Sequence, residues 1–176
     1  MALLKIARMG HPVLFQRAAP VPDPGTPEIR RLAADMIETM LDADGVGLAA
    51  PQIHVPLRMF VLHVPAGRDP DVLAPTVVIN PRWEPYGEEQ VLRWEGCLSI
   101  PGLRGAVPRY LRVRYSGVDC DGLPVGGVAK GLHANIVQHE ADHLDGVLFP
   151  MKLADPRLFG FAEEVARYPL SPVEPA

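Results

Sequence analysis

Apolar positions recur along the chain with two different periods, separated by proline and glycine breaks. Ile29, Leu32, Ala33, Met36, Ile37, Met40 and Leu41 repeat at the three-to-four-residue spacing of an amphipathic helix. Thr26 stands as its N-cap and Pro27 as its first helical residue, so the spacing predicts a helix from Pro27 towards Gly45. At that spacing its methionines read as core filler. From Met59 to Val64, Thr76 to Asn80 and Val107 to Val118, β-branched and alternating apolar residues predict strands. Asp121-Gly122 is a hairpin signal joining the last of these to a short run from Leu123 to Val128. A second helix is predicted after Gly131, with Leu132, Ile136, Val137 and Leu144 facing the core, Ala134 and Ala141 allowing close packing, and Gly146 ending it. Asp155-Pro156 predicts a last helix reaching Arg167.

The 176 residues suit one domain with a full hydrophobic core, placed at residues 1–168, followed by a proline-rich tail at 169–176. Prolines number 20, but they are dispersed as punctuation and form no linker. A hydrophobic share of 48% with 22% charged residues is that of a soluble globular protein, and a net charge of -4 carries no footprint for DNA. No apolar run has the roughly 18 residues that a membrane span needs, and the N-terminus lacks the apolar core of a signal peptide, so a cytoplasmic location is expected. Cys97 and Cys120 are too few for a disulfide framework; each is a buried apolar residue or a ligand.

The second helix carries the chemistry. Gln138-His139-Glu140-Ala141-Asp142-His143 contains H-E-x-x-H, which sets two imidazoles one helical turn apart beside a carboxylate. His139 and His143 can grip one divalent ion while Glu140 handles protons at a coordinated water. The bland alternative is a surface helix with two solvated histidines. It is weakened by the apolar neighbours, because buried imidazoles and carboxylates cost free energy unless coordinated or hydrogen-bonded. A catalytic divalent site wants three protein ligands and an open position. Glu163 or Glu164 on the last helix is one source of the third ligand. Cys97, in Glu95-Gly96-Cys97-Leu98-Ser99-Ile100-Pro101, is the preferred one, although alone it reads equally as a small buried hydrophobe. Gly45-Val46-Gly47-Leu48-Ala49-Ala50-Pro51-Gln52 forms a glycine-rich turn whose backbone can approach a substrate closely, and it is no phosphate loop. Gln52 is by default a loop residue, yet its amide can also donate to a developing oxyanion.

These three segments, in this order, closely resemble the three defining motifs of the peptide deformylases, and the resemblance runs from about Ile6 to Phe149. It implies an α+β fold in which antiparallel or mixed strands pack around a central metal-bearing helix, with a further helix towards each end. It also implies removal of the N-terminal formyl group from formyl-methionyl nascent peptides, with release of formate. Carried over by position, Cys97, His139 and His143 hold the metal, Glu140 is general base and acid, and Gln52 with the Leu98 backbone N–H stabilises the oxyanion. Backbone groups of Gly45 and Gly47 pair with an extended peptide, Arg104 reaches its backbone or carboxylate, and Leu132, Asn135 and Ile136 line the methionine pocket. The family's metal is usually ferrous iron, with zinc, nickel or cobalt able to replace it.

The chain departs from the pattern in three places. Asn135 puts an amide where many relatives carry an aliphatic residue or arginine. His54, expected as an exposed loop histidine, stands where glycine is common. No basic C-terminal helix is present to dock on a ribosome, although proximity to the ribosome is compatible with the substrate. Two other functions fit parts of the sequence: a metallopeptidase using Glu163 or Glu164, and a non-enzymatic binder of formylated or free peptide N-termini.

Overall fold

The computed structural model describes residues 2–67 and 72–169; the proline-rich tail lies outside them from position 170 on. Helix α1 spans Pro27–Asp42, with the Thr26 side chain accepting from the Ile29 N–H as predicted. Its buried face, Ile29, Ala33, Met36 and Met40, packs with Leu48, Ile53, Met59, Val61 and Ile79, so these methionines are core.

Five antiparallel strands form the larger sheet, in the order β1-β2-β3-β6-β7. They are β1 (Gly47–Ala49), β2 (Met59–Val64), β3 (Leu73–Pro85), β6 (Arg112–Val118) and β7 (Pro124–Lys130). A second antiparallel sheet joins β4 (Gln90–Cys97), β5 (Ile100–Tyr110) and β8 (Phe159–Phe161) in that order. The predicted hairpin joins β6 to β7: Asp119 Oδ1 accepts from the N–H groups of Asp121 and Leu123, and Val118 pairs with Pro124.

Helix α2, Gly131–Leu144, runs through the middle of the protein and is buried without a break from Ile136 to Leu144. One side packs on Phe60, Leu62, Val113 and Tyr115 of the larger sheet. Gly146 ends the helix region with φ of 74° and stands where a Cβ would come within 2.8 Å of the Phe15 backbone, so glycine is required there twice over.

Three expectations are corrected. The stretch Val107–Val118 is not one strand: β5 stops at Tyr110, β6 starts at Arg112, and the two lie in different sheets. At the corner buried Gln138 replaces a ladder partner, accepting from the Tyr110 N–H at 3.0 Å and donating to the Tyr110 carbonyl at 2.9 Å. The last helix does not begin at Asp155. Asp155 closes a turn, Phe159–Phe161 adds to the free edge of β5, and α3 covers only Ala162–Arg167. Finally, no strand was expected at β4, because Gln90–Cys97 carries charged and polar residues among its apolar ones and its one buried side chain is Glu95.

Candidate metal centre and cleft

Cys97 at the end of β4 meets His139 and His143 of α2. One ligand atom from each residue lies within 4.8 Å of the others. Cys97 Sγ is 3.2 Å from His143 Nε2, and the two imidazole rings stand edge to face with centroids 4.9 Å apart. His139 donates its Nδ1 proton to Glu95 Oε2 at 2.8 Å, which turns Nε2 towards the cluster. A thiolate with two imidazoles and an open cleft on one side is the donor set of a catalytic divalent site, so the residues fit one metal ion. Glu163 and Glu164 do not join this group; they sit on α3, which buries none of its residues, and Glu164 contacts Arg167 at 3.4 Å. Cys120, the other cysteine, is half-buried beside the α1 core.

A buried ion network outside the cluster holds it in place. Arg109 of β5 donates through Nε to Glu95 Oε1 at 2.7 Å and through a second nitrogen to Glu95 Oε2 at 3.0 Å. It also donates to Asp142 Oδ2 at 2.6 Å, and Lys152 donates to Asp142 Oδ1 at 2.7 Å. Glu95 and Asp142 lie inside the recognised motifs, but their common partner comes from another strand, so sequence reasoning missed the network. Burial works against the Glu95 carboxylate, yet the bonds from His139 and Arg109 win and bring its pKa down to about 2. Burial likewise opposes the Cys97 thiolate, but the charge of His143 and bonds from His139 and His143 hold the thiol well below its ordinary value. His139 is pushed down by burial and carried well above its usual value by Cys97 and Glu95.

Glu140 projects from the same helix turn with only 4% of its surface exposed, and its Oε2 is buried without a hydrogen-bond partner. Burial raises its pKa to about 7, against the lowering influence of His139 and His143. Gly47 explains how it fits: a Cβ there would collide with the Glu140 carboxylate. Gln52 belongs to a 3-10 turn, Ala50–Ile53, and is fully buried. Its Oε1 accepts from the Ala49 N–H at 2.8 Å, which aims Nε2 at Ser99 Oγ (3.2 Å) and Cys97 Sγ (3.4 Å). His54, next to this turn, is exposed and adopts the left-handed conformation at φ of 64°, stacking edge-on against His11.

A cleft of about 530 Å³ opens over these groups. Gly45, Gly47, Gln52, Cys97, Leu98, Arg104, Leu132, Asn135, Ile136, His139 and Glu140 all line it, and His143 sits behind the wall, 1% exposed. Arg104 packs over Gly96, where a Cβ would fall 2.9 Å from the guanidinium. Asn135 Oδ1 is buried with no partner. Trp94, Leu103 and Ala162 complete parts of the lining that the motifs did not indicate.

Comparison with known proteins agrees with this geometry. The family model described as polypeptide deformylase matches residues 3–158. Peptide deformylase 1 of Nitrosomonas europaea is 47% identical over 161 residues, covering 90% of this chain and 92% of that protein. Peptide deformylase 1 of Bordetella pertussis is 50% identical over the same coverage. Among solved structures, a class I type b peptide deformylase from Acinetobacter baumannii superposes with a TM-score of 0.81 at 35% identity, covering 87% of this chain and all (100%) of that one. The Thermotoga maritima peptide deformylase gives 0.80 at 35% identity, covering 88% and 100%. With motif order, metal cluster, α+β architecture and near full-length similarity all in agreement, the chain belongs to the polypeptide deformylase family.

Proposed function

We propose that residues 1–168 form one catalytic domain, a metal-dependent hydrolase that removes the N-terminal formyl group from formyl-methionyl peptides of newly made proteins and releases formate. The observation that carries this reading is the convergence of Cys97, His139 and His143 within 4.8 Å on a cleft that also holds the unpartnered Glu140 Oε2. When bound there, a divalent ion supplies Lewis acidity and lowers the pKa of a coordinated water towards about 7. Glu140, with its pKa near 7, takes the proton of the attacking water and later delivers it to the departing amine. The Gln52 Nε2 and the Leu98 backbone N–H donate to the formyl oxygen as it becomes negative. Glu95 keeps His139 in the tautomer that presents Nε2.

The peptide lies extended along Gly45 and Gly47 in the manner of an added strand, with Arg104 reaching its backbone or carboxylate. Leu132, Asn135 and Ile136 receive the methionine side chain. One Acinetobacter baumannii relative has been solved with Met-Ala-Ser bound. Ferrous iron is the proposed ion in the cell, with Zn2+, Ni2+ or Co2+ able to take its place; mixed thiolate and imidazole ligands suit all four. Thiolate ligation also makes the centre sensitive to oxygen. The proposed setting is the cytoplasm near the ribosome; no helix among the described residues is long and apolar enough to cross a membrane.

The test is formate release from formyl-Met-Ala by protein loaded anaerobically with each metal. Glu140→Ala is expected to keep the metal and lose about 10² to 10⁴ in turnover. Metal loss from that variant would contradict its role. Retention of metal by Cys97→Ala together with loss from Glu164→Ala would overturn the ligand set, and binding of formyl-Met-Ala without formate would favour a non-enzymatic binder.

A further inference from the structure

We propose that His63 is a positioning residue: its ring and backbone hold the carbonyls of Gly45 and Val46 so that this segment presents a fixed edge to the peptide beyond its first residue. The inference rests on the reading of the cleft as a peptide site. His63 is the one polar residue of β2, a strand that otherwise reads Met-Phe-Val-Leu-Val. It does not line the cleft. It lines a smaller cavity of about 190 Å³ on the far side of Gly45 and Val46, together with Leu41, Asp44 and Pro65. Asp44, Gly45 and Val46 line both cavities, so this segment stands between them.

That segment needs holding. The strand β1 begins at Gly47, opposite Leu62, and Asp44 sits in the left-handed conformation at φ of 51°, so Gly45 and Val46 form the turn by which the chain enters the sheet from α1. A strand edge recruits a peptide by main-chain hydrogen bonds, which requires its own groups to be in register beforehand. His63 provides the register twice. Its backbone N–H donates to the Val46 carbonyl at 3.0 Å, and its Nε2 lies 2.9 Å from the Gly45 carbonyl. A carbonyl only accepts, so Nε2 carries the proton. The Gly45 N–H is bound in turn to the Met40 carbonyl at 2.9 Å. Both polar groups of Gly45 are therefore anchored, the N–H by the end of α1 and the carbonyl by the imidazole, so of the two only the carbonyl, through its second lone pair, can still meet a peptide.

The experiment compares wild type, His63→Ala and His63→Gln, all metal-loaded. Formyl-Met amide, which has nothing beyond the first residue, is set against formyl-Met-Ala-Ser. Loss of one positioning hydrogen bond in His63→Ala is expected to raise KM for the longer peptide about fivefold to tenfold with kcat nearly unchanged, and to move KM for the short one by less than about twofold. His63→Gln, which keeps an N–H donor, restores most of the difference. An unchanged KM for formyl-Met-Ala-Ser overturns the proposal, and so does an equal loss on both substrates, which is the mark of a general structural role. Calorimetric binding of Met-Ala-Ser to the same proteins reads the contrast without turnover. A wild type that binds the peptide more tightly than His63→Ala yet releases no formate would therefore count against the hydrolase reading and not against His63. If His63→Ala melts below the assay temperature, His63→Met fills its space without a donor and gives the same comparison with His63→Gln.

Discussion

The His139 imidazole donates from Nδ1 to Oε2 of Glu95 over 2.8 Å, and both groups are nearly inaccessible to solvent. One carboxylate thus sets which imidazole nitrogen faces Cys97 and His143. Arg109 grips the other edge of the same carboxylate and reaches on to Asp142, so the orientation of His139 is tied to β5 as well as to its own helix. Such an arrangement is costly to desolvate and is poor evidence for stability in itself. What it supplies is a ligand with one tautomer and one direction.

Glu95→Gln is therefore expected to weaken metal affinity by about tenfold to a hundredfold, since an amide can accept from Nδ1 but brings no charge to support it. Competition with a metal-sensitive chelator measures this directly. Equal affinity in the variant and the wild type would mean that Glu95 does not orient the ligand.

The same carboxylate makes the metal-free protein sensitive to acid. Its folded pKa of about 2 lies below its ordinary value of 4.5, so its stabilising contribution is complete above about pH 4.5 and is lost as pH falls from there towards 2. The difference corresponds to an effect of the order of 3 kcal/mol. Urea unfolding of the chelated protein across that window should show a steep loss of stability that is much shallower in Glu95→Gln. Parallel pH profiles for the two proteins would rule it out.

Gly47→Ala should damage the reaction without unfolding the protein. The added methyl collides with the Glu140 carboxylate, so either that group or β1 must shift. A displacement of about 1 Å at a proton-transfer group costs of the order of 10²-fold. The measurement is kcat for formate release alongside metal content and melting temperature. Full activity with a full complement of metal would show that Glu140 has room the structure does not give it.

Asn135→Leu tests the proposed side-chain pocket. The Asn135 Oδ1 is buried without a partner, and removing it is expected to raise stability by about 1 kcal/mol because an unpaired buried carbonyl carries its full desolvation penalty. An apolar lining should also increase the preference for formyl-norleucine over formyl-glutamine peptides by about tenfold. Thermal melts and kcat/KM ratios check the two effects separately, and a loss of stability in the variant would indicate that the amide does have a partner in solution.

Some of this protein was determined by the chain's local order alone. Four-residue spacing is enough to set His139 and His143 on one side of a helix with Glu140 between them. Thr26 with Pro27, and Asp121 with Gly122, act through the backbone of their immediate neighbours, so the start of α1 and the β6–β7 hairpin were legible directly. Resemblance of the three motifs supplied Cys97 and Gln52, which spacing could only nominate. Tertiary structure decided everything that depends on partners distant in the chain. It split Val107–Val118 between two sheets because Gln138 supplies the hydrogen bonds at the corner, and it drew Phe159–Phe161 into a strand because β5 offered an open edge. It also inserted Arg109 between Glu95 and Asp142 and set His63 behind Gly45. Periodicity records which face of an element is apolar; which polar groups meet across those faces is settled only when burial forces each of them to find a partner.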